Sequence, residues 1–169
     1  IAMSGADAAN YTANTTATTT ANITARALVV SATGVDKVYN GTTNATVNLS
    51  DDRVSGDTLS TSYTSASFAN KNVGVAKTVS VSGIAISGTD ASNYTANTTA
   101  TTTANITARA LVVSATGVNK AYNGTTTATV TLSDNRVAGD SLNTSYSSAS
   151  FADKNVGTAK PVSVSGIAV

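Results

Sequence analysis

The side chains of this sequence that could do chemistry are few. Three carboxylates, Asp51, Asp52 and Asp57, lie in one short loop. Hard oxygen ligands held close together are what a calcium ion requires. The spacing is not Asp-x-Asp-x-Asp-Gly, and the matching later loop keeps Asp134 and Asp140 but has Asn135 in place of Asp52. The competing reading is a solvated turn in which each Asp caps nearby backbone, with Arg53 as counter-charge. The spacing favours that second reading, and no metal is assigned. Lys71 or Lys77 could form an isopeptide bond with an Asn beside a buried acid, and Asp90 is the one acid suited to that role. An exposed lysine is the simpler expectation for both. Tyr39, Tyr63, Phe68 and Tyr94 could stack on sugars; in a chain this poor in large side chains they are better read as core and corner residues. Asn-x-Thr/Ser sequons at Asn10, Asn22, Asn40, Asn44 and Asn48 are expected by chance in a chain so rich in Asn and Thr.

Enzymatic chemistry has little to work with. There is no His, Cys, Glu, Gln or Trp. Nothing resembles a nucleophile elbow or a Ser-Lys signature. The expectation is a protein that is not an enzyme, with no catalytic residue and no cofactor. Without Cys there is no disulfide or thiolate metal site. The formal net charge is +1. Acids and bases balance between Ala27 and Arg109, so no basic face is available for phosphate contacts and no nucleic-acid partner is expected. No apolar run reaches the length of a membrane span.

These residues are organised by a repeat. Asn10–Val35 returns unchanged as Asn93–Val118, and the 83-residue offset then holds without a gap. The chain reads as a tandem array: residues 1–26 are the last part of a unit, 27–109 a complete unit, and 110–169 the first part of the next. Of 86 overlapping positions 16 differ. In the alternating segments the changes fall at 44, 48, 58, 60 and 64. Val47, Leu49, Leu59 and Tyr63 do not change. That is the pattern of a half-buried sheet with one wet face.

Thr and Val favour strands, while Asn, Gly and Ser favour turns. The expected class is therefore all-β, each unit a small two-layer sandwich or grasp-like sheet and the units set end to end as a rod. Strands are expected at 27–33, 45–49, 58–66, 77–86, 94–98 and 101–109. Asn40-Gly41 marks a tight turn. Gly83 sits where the apolar phase flips, which predicts a bend. The predicted core is Tyr39, Val47, Leu49, Leu59, Tyr63, Phe68, Val79, Val81, Tyr94 and Ile106. The junction at Thr107–Leu111 has no Gly, Pro or polar run. One unit should enter the next through a short, stiff joint.

The ordered set Tyr39-Asn-Gly-Thr-Thr, Gly56-Asp57, Ala66-Ser-Phe-Ala-Asn-Lys-Asn-Val-Gly74, Lys77-Thr-Val-Ser-Val-Ser-Gly83, Ser87-Gly88, Asp90-Ala-Ser-Asn-Tyr94 and Ala104-Asn-Ile-Thr107 resembles the YDG-type repeat of large bacterial haemagglutinin-like surface adhesins. The name-giving Asp is Asn40 and Asn123 here, and the usual Pro near the unit boundary is Ala25 and Ala108. The resemblance implies an exported stalk or fibre segment at a bacterial cell surface, with no catalytic residues. The expected partners are neighbouring repeats, or head-to-tail copies in an extracellular filament, with host or matrix glycans as the alternative through outer strand faces or loops. Residues 1–26 and 110–169 are complementary parts of one unit, so both ends are expected to abut matching β structure. Either the sequence is an excerpt of a longer covalent array or separate chains exchange strands head to tail. The overlap of Ile1–Met3 with Ile167–Val169 favours the excerpt.

Overall fold

The structure, a computed structural model, describes residues 2–169. It is all-β, and among the described residues the only helical pieces are two single 3-10 turns. The complete unit contains β1 (Arg26–Leu28), β2 (Val30–Val35), β3 (Lys37–Val38), β4 (Thr46–Asp51), β5 (Ser60–Ser62), β6 (Ser65–Phe68), β7 (Gly74–Ser82), β8 (Ala85–Ser87), β9 (Tyr94–Ala96) and β10 (Thr99–Thr107).

The main sheet runs β3-β10-β7-β6. β10 lies in its middle, parallel to β3 and antiparallel to β7. An antiparallel ribbon of β2 and β4 covers β10. The two layers approach closely at Gly34, where a Cβ would sit 2.5 Å from the Thr103 carbonyl oxygen. β1 pairs with β9 in parallel and β5 with β8 antiparallel.

The core lies between these layers. Val79 is 0% exposed, Ile106 1%, and Leu28, Val30 and Val81 2% each. In β7, Val79 and Val81 alternate with exposed Thr78, Ser80 and Ser82, so the strand buries one face. Of the ten predicted core residues, Val47, Leu59, Phe68, Val79, Val81, Tyr94 and Ile106 are buried. Tyr39, Leu49 and Tyr63 are half-buried and pack against that core. Leu28, Val30, Ile84, Ala66 and Ala104 belong to the core as well.

Four predicted strands need correction. The segment 27–33 breaks at Val29, whose N–H goes to Asp52, into β1 and β2, which pair with β9 and β4. The segment 58–66 is not one strand: it breaks at Tyr63-Thr64 into β5 and β6, which pair with different partners. The strand predicted over 77–86 breaks at Gly83 into β7 and β8. Gly83 has φ +67°, and a Cβ there would lie 2.3 Å from Thr64 Oγ1. These last two breaks have one cause, because the two strands turn together at facing positions. At the joint, β10 ends at Thr107, and the next strand begins only at Val113. The strand predicted to reach Arg109 therefore stops two residues earlier.

Residues 110–169 repeat part of this pattern. They form β11 (Val113–Val118), β12 (Thr129–Asp134), β13 (Ser148–Phe151) and β14 (Val162–Ser165). Here the inward valines of β14 are more open than their counterparts in β7. Val162 and Val164 are half-exposed where Val79 and Val81 are buried.

Truncating Val79 removes buried methyls and leaves a cavity, so Val79→Ala should cost the complete unit about 2–3 kcal/mol. Val75, on the same strand, is 84% exposed, and Val75→Ala should stay within about 0.5 kcal/mol. Urea unfolding of both variants checks the assignment, and equal costs would refute it.

Candidate functional site

The three loop acids of the first unit do not gather. Asp51 is gripped by Arg53: Nε donates to Oδ1 at 2.7 Å and Nη2 to Oδ2 at 2.6 Å. The third guanidinium arm, Nη1, donates to the Leu59 carbonyl at 2.6 Å, which closes the loop. The Asp51 side chain is 3% exposed. Asp52 instead accepts from the Val29 backbone N–H at 2.8 Å. Asp57 Oδ2 accepts the Tyr94 hydroxyl, whose oxygen in turn accepts from the Val54 N–H at 2.9 Å. Each acid serves a different backbone segment. Among the described residues no three acids come together as a metal site.

The change from Asp52 to Asn135 now has a reason. Asn135 Oδ1 accepts from the Val112 N–H at 2.9 Å, as Asp52 does from Val29. The bond to the backbone needs an acceptor oxygen, which Asn supplies; Asp52 additionally faces Arg26 at 3.7 Å.

The candidate isopeptide residues are also separately engaged. Lys71 bonds Asp140, and Lys77 Nζ donates to Asn70 Oδ1 at 2.7 Å. Asp90 accepts from the Thr58 N–H at 2.8 Å, so the expected trio does not assemble. Lys37, which sequence reasoning passed over, sits 5.2 Å from the Phe68 ring centroid and donates to Asn40 Oδ1, Thr42 O and Asn44 O. It ties down the Asn40-Gly41 turn, and burial pushes its ammonium pKa below the ordinary lysine value. Of the four aromatics, Phe68 and Tyr94 are buried and Tyr39 and Tyr63 half-buried, so they form no open platform.

What the structure does assemble is a contact across the repeat boundary. The Tyr39 N–H donates to the Thr107 carbonyl at 2.9 Å, which holds Tyr39 at the end of β10. From there its hydroxyl donates to Asp140 Oδ1 of the following unit at 2.8 Å. Lys71 Nζ reaches the same oxygen at 2.9 Å and lies 5.8 Å from the Tyr39 ring centroid. Asp140 itself closes a turn, its N–H bonding the Val137 carbonyl. Val137 packs onto Gly41, where a Cβ would come within 2.7 Å of its Cγ1. The Asp140 side chain is 18% exposed. The bonds from Lys71 and then Tyr39 hold its carboxyl below the usual range, and Asp140 in turn raises the Lys71 ammonium. Sequence reasoning missed this latch. The available signal was that Tyr39, Gly41, Val54, Asp57 and Lys71 all recur unchanged 83 residues later.

Fold and joint together show β units in tandem with a polar contact between them. The YDG domain family model matches over residues 24–104 and again over 107–169, and the chain belongs to that family. No curated protein and no solved structure matches it.

Two measurements test these ties. The Asp134 carboxyl, gripped by Arg136, is held down to about 2 against an ordinary 3.8. A depressed carboxyl stabilises the fold above its unfolded value, and that contribution is lost as pH falls through the folded value. Stability should therefore drop between about pH 4 and pH 2, and Asp134→Asn should flatten the drop in acid-unfolding curves. For the joint, spin labels on Thr46→Cys and Thr129→Cys, both exposed, should give one narrow distance distribution. Asp140→Asn should broaden it while leaving the melting of the complete unit unchanged. An unaltered distribution would remove the latch as a determinant of orientation.

Proposed function

We propose that this chain is a structural repeat segment, a stalk or fibre, of a secreted bacterial surface adhesin or extracellular filament. The single observation that carries the reading is the latch of Tyr39 and Lys71 on Asp140, made directly between adjacent units. A flexible string of beads has no use for a specific polar contact at each joint. A spacer that keeps a distal domain at a set distance does. Membership of the YDG domain family supports a repeated, array-forming unit. The chemistry-bearing side chains are consistent with this role, since Asp51, Asp52, Asp57 and Lys37 are all occupied in holding loops to the scaffold.

Small-angle X-ray scattering of a protein of four complete units checks the proposal. A rod-like profile, with length growing linearly in unit number, is the expected result. A profile typical of independently tumbling units would reject it. A glycan array with one complete unit tests the competing class, since specific binding by an isolated unit would favour an adhesive module over a spacer.

A further inference from the structure

Inside the complete unit, the first segment, residues 26–39, runs beside the last, residues 94–107, in the same direction throughout. β1 pairs with β9 in parallel, Arg26 against Tyr94 and Leu28 against Ala96. Past the break at Val29, Asn97 takes over. Its Oδ1 accepts from the Val30 N–H at 2.7 Å, and its Nδ2 donates to the Val30 carbonyl at 3.0 Å. Gly34 then lies against the Thr103 backbone. Asp36 accepts from the Asn105 N–H at 2.6 Å and from the Asn105 side-chain amide at 2.8 Å. β3 pairs with the end of β10 in parallel, Lys37 against Ile106 and Val38 against Thr107. The Tyr39 N–H closes the series on the Thr107 carbonyl.

The two segments keep one register along this seam. Val30 and Asn97 are 67 residues apart in sequence, and Asp36 and Asn105 are 69 apart. Among the described residues, the only parallel strand pairs are β1 with β9 and β3 with β10. Both join the first segment of the unit to the last. The seam runs over Leu28, Val30 and Ile106, each no more than 2% exposed, which limits the water that could replace its bonds.

Direction decides what such a seam can carry. In a parallel pair, the start of one strand and the end of the other lie at opposite ends of the ribbon. A pull along the chain draws Arg26 one way and Thr107 the other, so it slides one segment past its neighbour. Bonds in a parallel pair are evenly spaced, and sliding loads all of them together. A pull on the same end of both segments would instead break them in turn, each bond bearing the whole force at the fork.

We infer that the complete unit is a tension-bearing clamp, in which the parallel seam between residues 26–39 and 94–107 takes a pull along the array in shear. The strands between the two segments, β4 to β8, sit inside the loop that the seam closes. No tension reaches them until the seam gives, so the unit keeps its length under load. The inference rests on the stalk or fibre reading and adds mechanical load to it, and its test separates the two.

The chain has no Cys, so introduced thiols set the direction of pull in single-molecule force spectroscopy of the full chain. Ala25→Cys with Ala108→Cys, both exposed, pulls on opposite ends of the seam. One rupture is expected, with a length gain of about 25 nm, the extended chain between the handles less its folded span. Ala25→Cys with Ser92→Cys, also exposed, pulls the same seam from one end. At the same loading rate it should open at a severalfold lower force. Forced opening reports the unfolding rate and not the equilibrium stability, so one fold can give both values. Asp36→Ala removes two ties from the seam. It should lower the force in the first geometry and leave the second unchanged, because peeling there starts at β1. Equal forces in the two geometries, or an unchanged force in the first with Asp36→Ala, overturn the clamp. A low force in the first geometry beside a rod-like scattering profile overturns the clamp and leaves the stalk in place. A high force beside a profile of independently tumbling units supports the clamp and removes the stalk.

Discussion

The complete unit depends on one strand being held from three directions. β10 is flanked by β3 and β7 and covered by β2. Its Ala104 and Ile106 are the apolar surface on which the two layers meet. Residues 110–169 carry nearly the same sequence as the first part of the complete unit. β11 and β12 still pair, in the register of β2 and β4. The counterpart of β7 shrinks from nine residues to four, and its inward valines open to solvent. In the complete unit the two-layer core is closed by β10, the strand that comes last in the unit. That order gives the fold a long-range contact as its keystone, with the loop-closure cost such contacts carry.

The loops are held by a different currency. A unit with few large apolar side chains cannot fix its connections by burial alone. It uses short polar residues instead. Asn97 accepts from the Val30 N–H and donates to the Val30 carbonyl, pinning β2 beside the turn between β9 and β10. Asn105 accepts from the N–H of Ala76, which sits at φ +49°. A non-glycine residue in the left-handed region costs of order 1 kcal/mol or more, and the bond from Asn105 helps offset it. The Arg53 fork and the Lys37 ammonium work the same way on the two longest loops. No buried side-chain polar atom among the described residues lacks a partner, so these ties carry no hidden desolvation cost.

The all-β class, the inward positions of Val47, Leu59, Val79, Val81 and Ile106 and the bend at Gly83 were legible because they follow from period-2 alternation and from glycine chemistry. The strand breaks at Tyr63-Thr64 and between β10 and β11 were not. Both are set by which strand lies opposite, and alternation within one segment carries no information about its partner. Which segments the loop acids hold was hidden for a related reason. Asp51, Asp52 and Asp57 are neighbours in sequence, but their partners Arg53, Val29 and Tyr94 lie in different segments. The latch was hidden more deeply, since Tyr39 and Asp140 are 101 residues apart. Its trace was visible only as polar residues that do not change between copies on a surface where others do.

The stiff joint proposed here does not need a continuous strand. Residues 108–112 form no strand, and a bare five-residue tether would leave a swivel. The tether is fixed at its far end, where Asn135 holds the Val112 N–H. A second attachment, separate from the covalent path, is the bond of Tyr39 and Lys71 to Asp140. Two attachments at different points allow only rotation about the line between them. The packing of Val137 on Gly41 blocks that remaining freedom by steric contact, since the smallest side chain already sits against the valine. None of the three contacts needs to be strong, because each restricts a motion the others leave open. An exposed ion pair worth little for stability can therefore matter a great deal for direction.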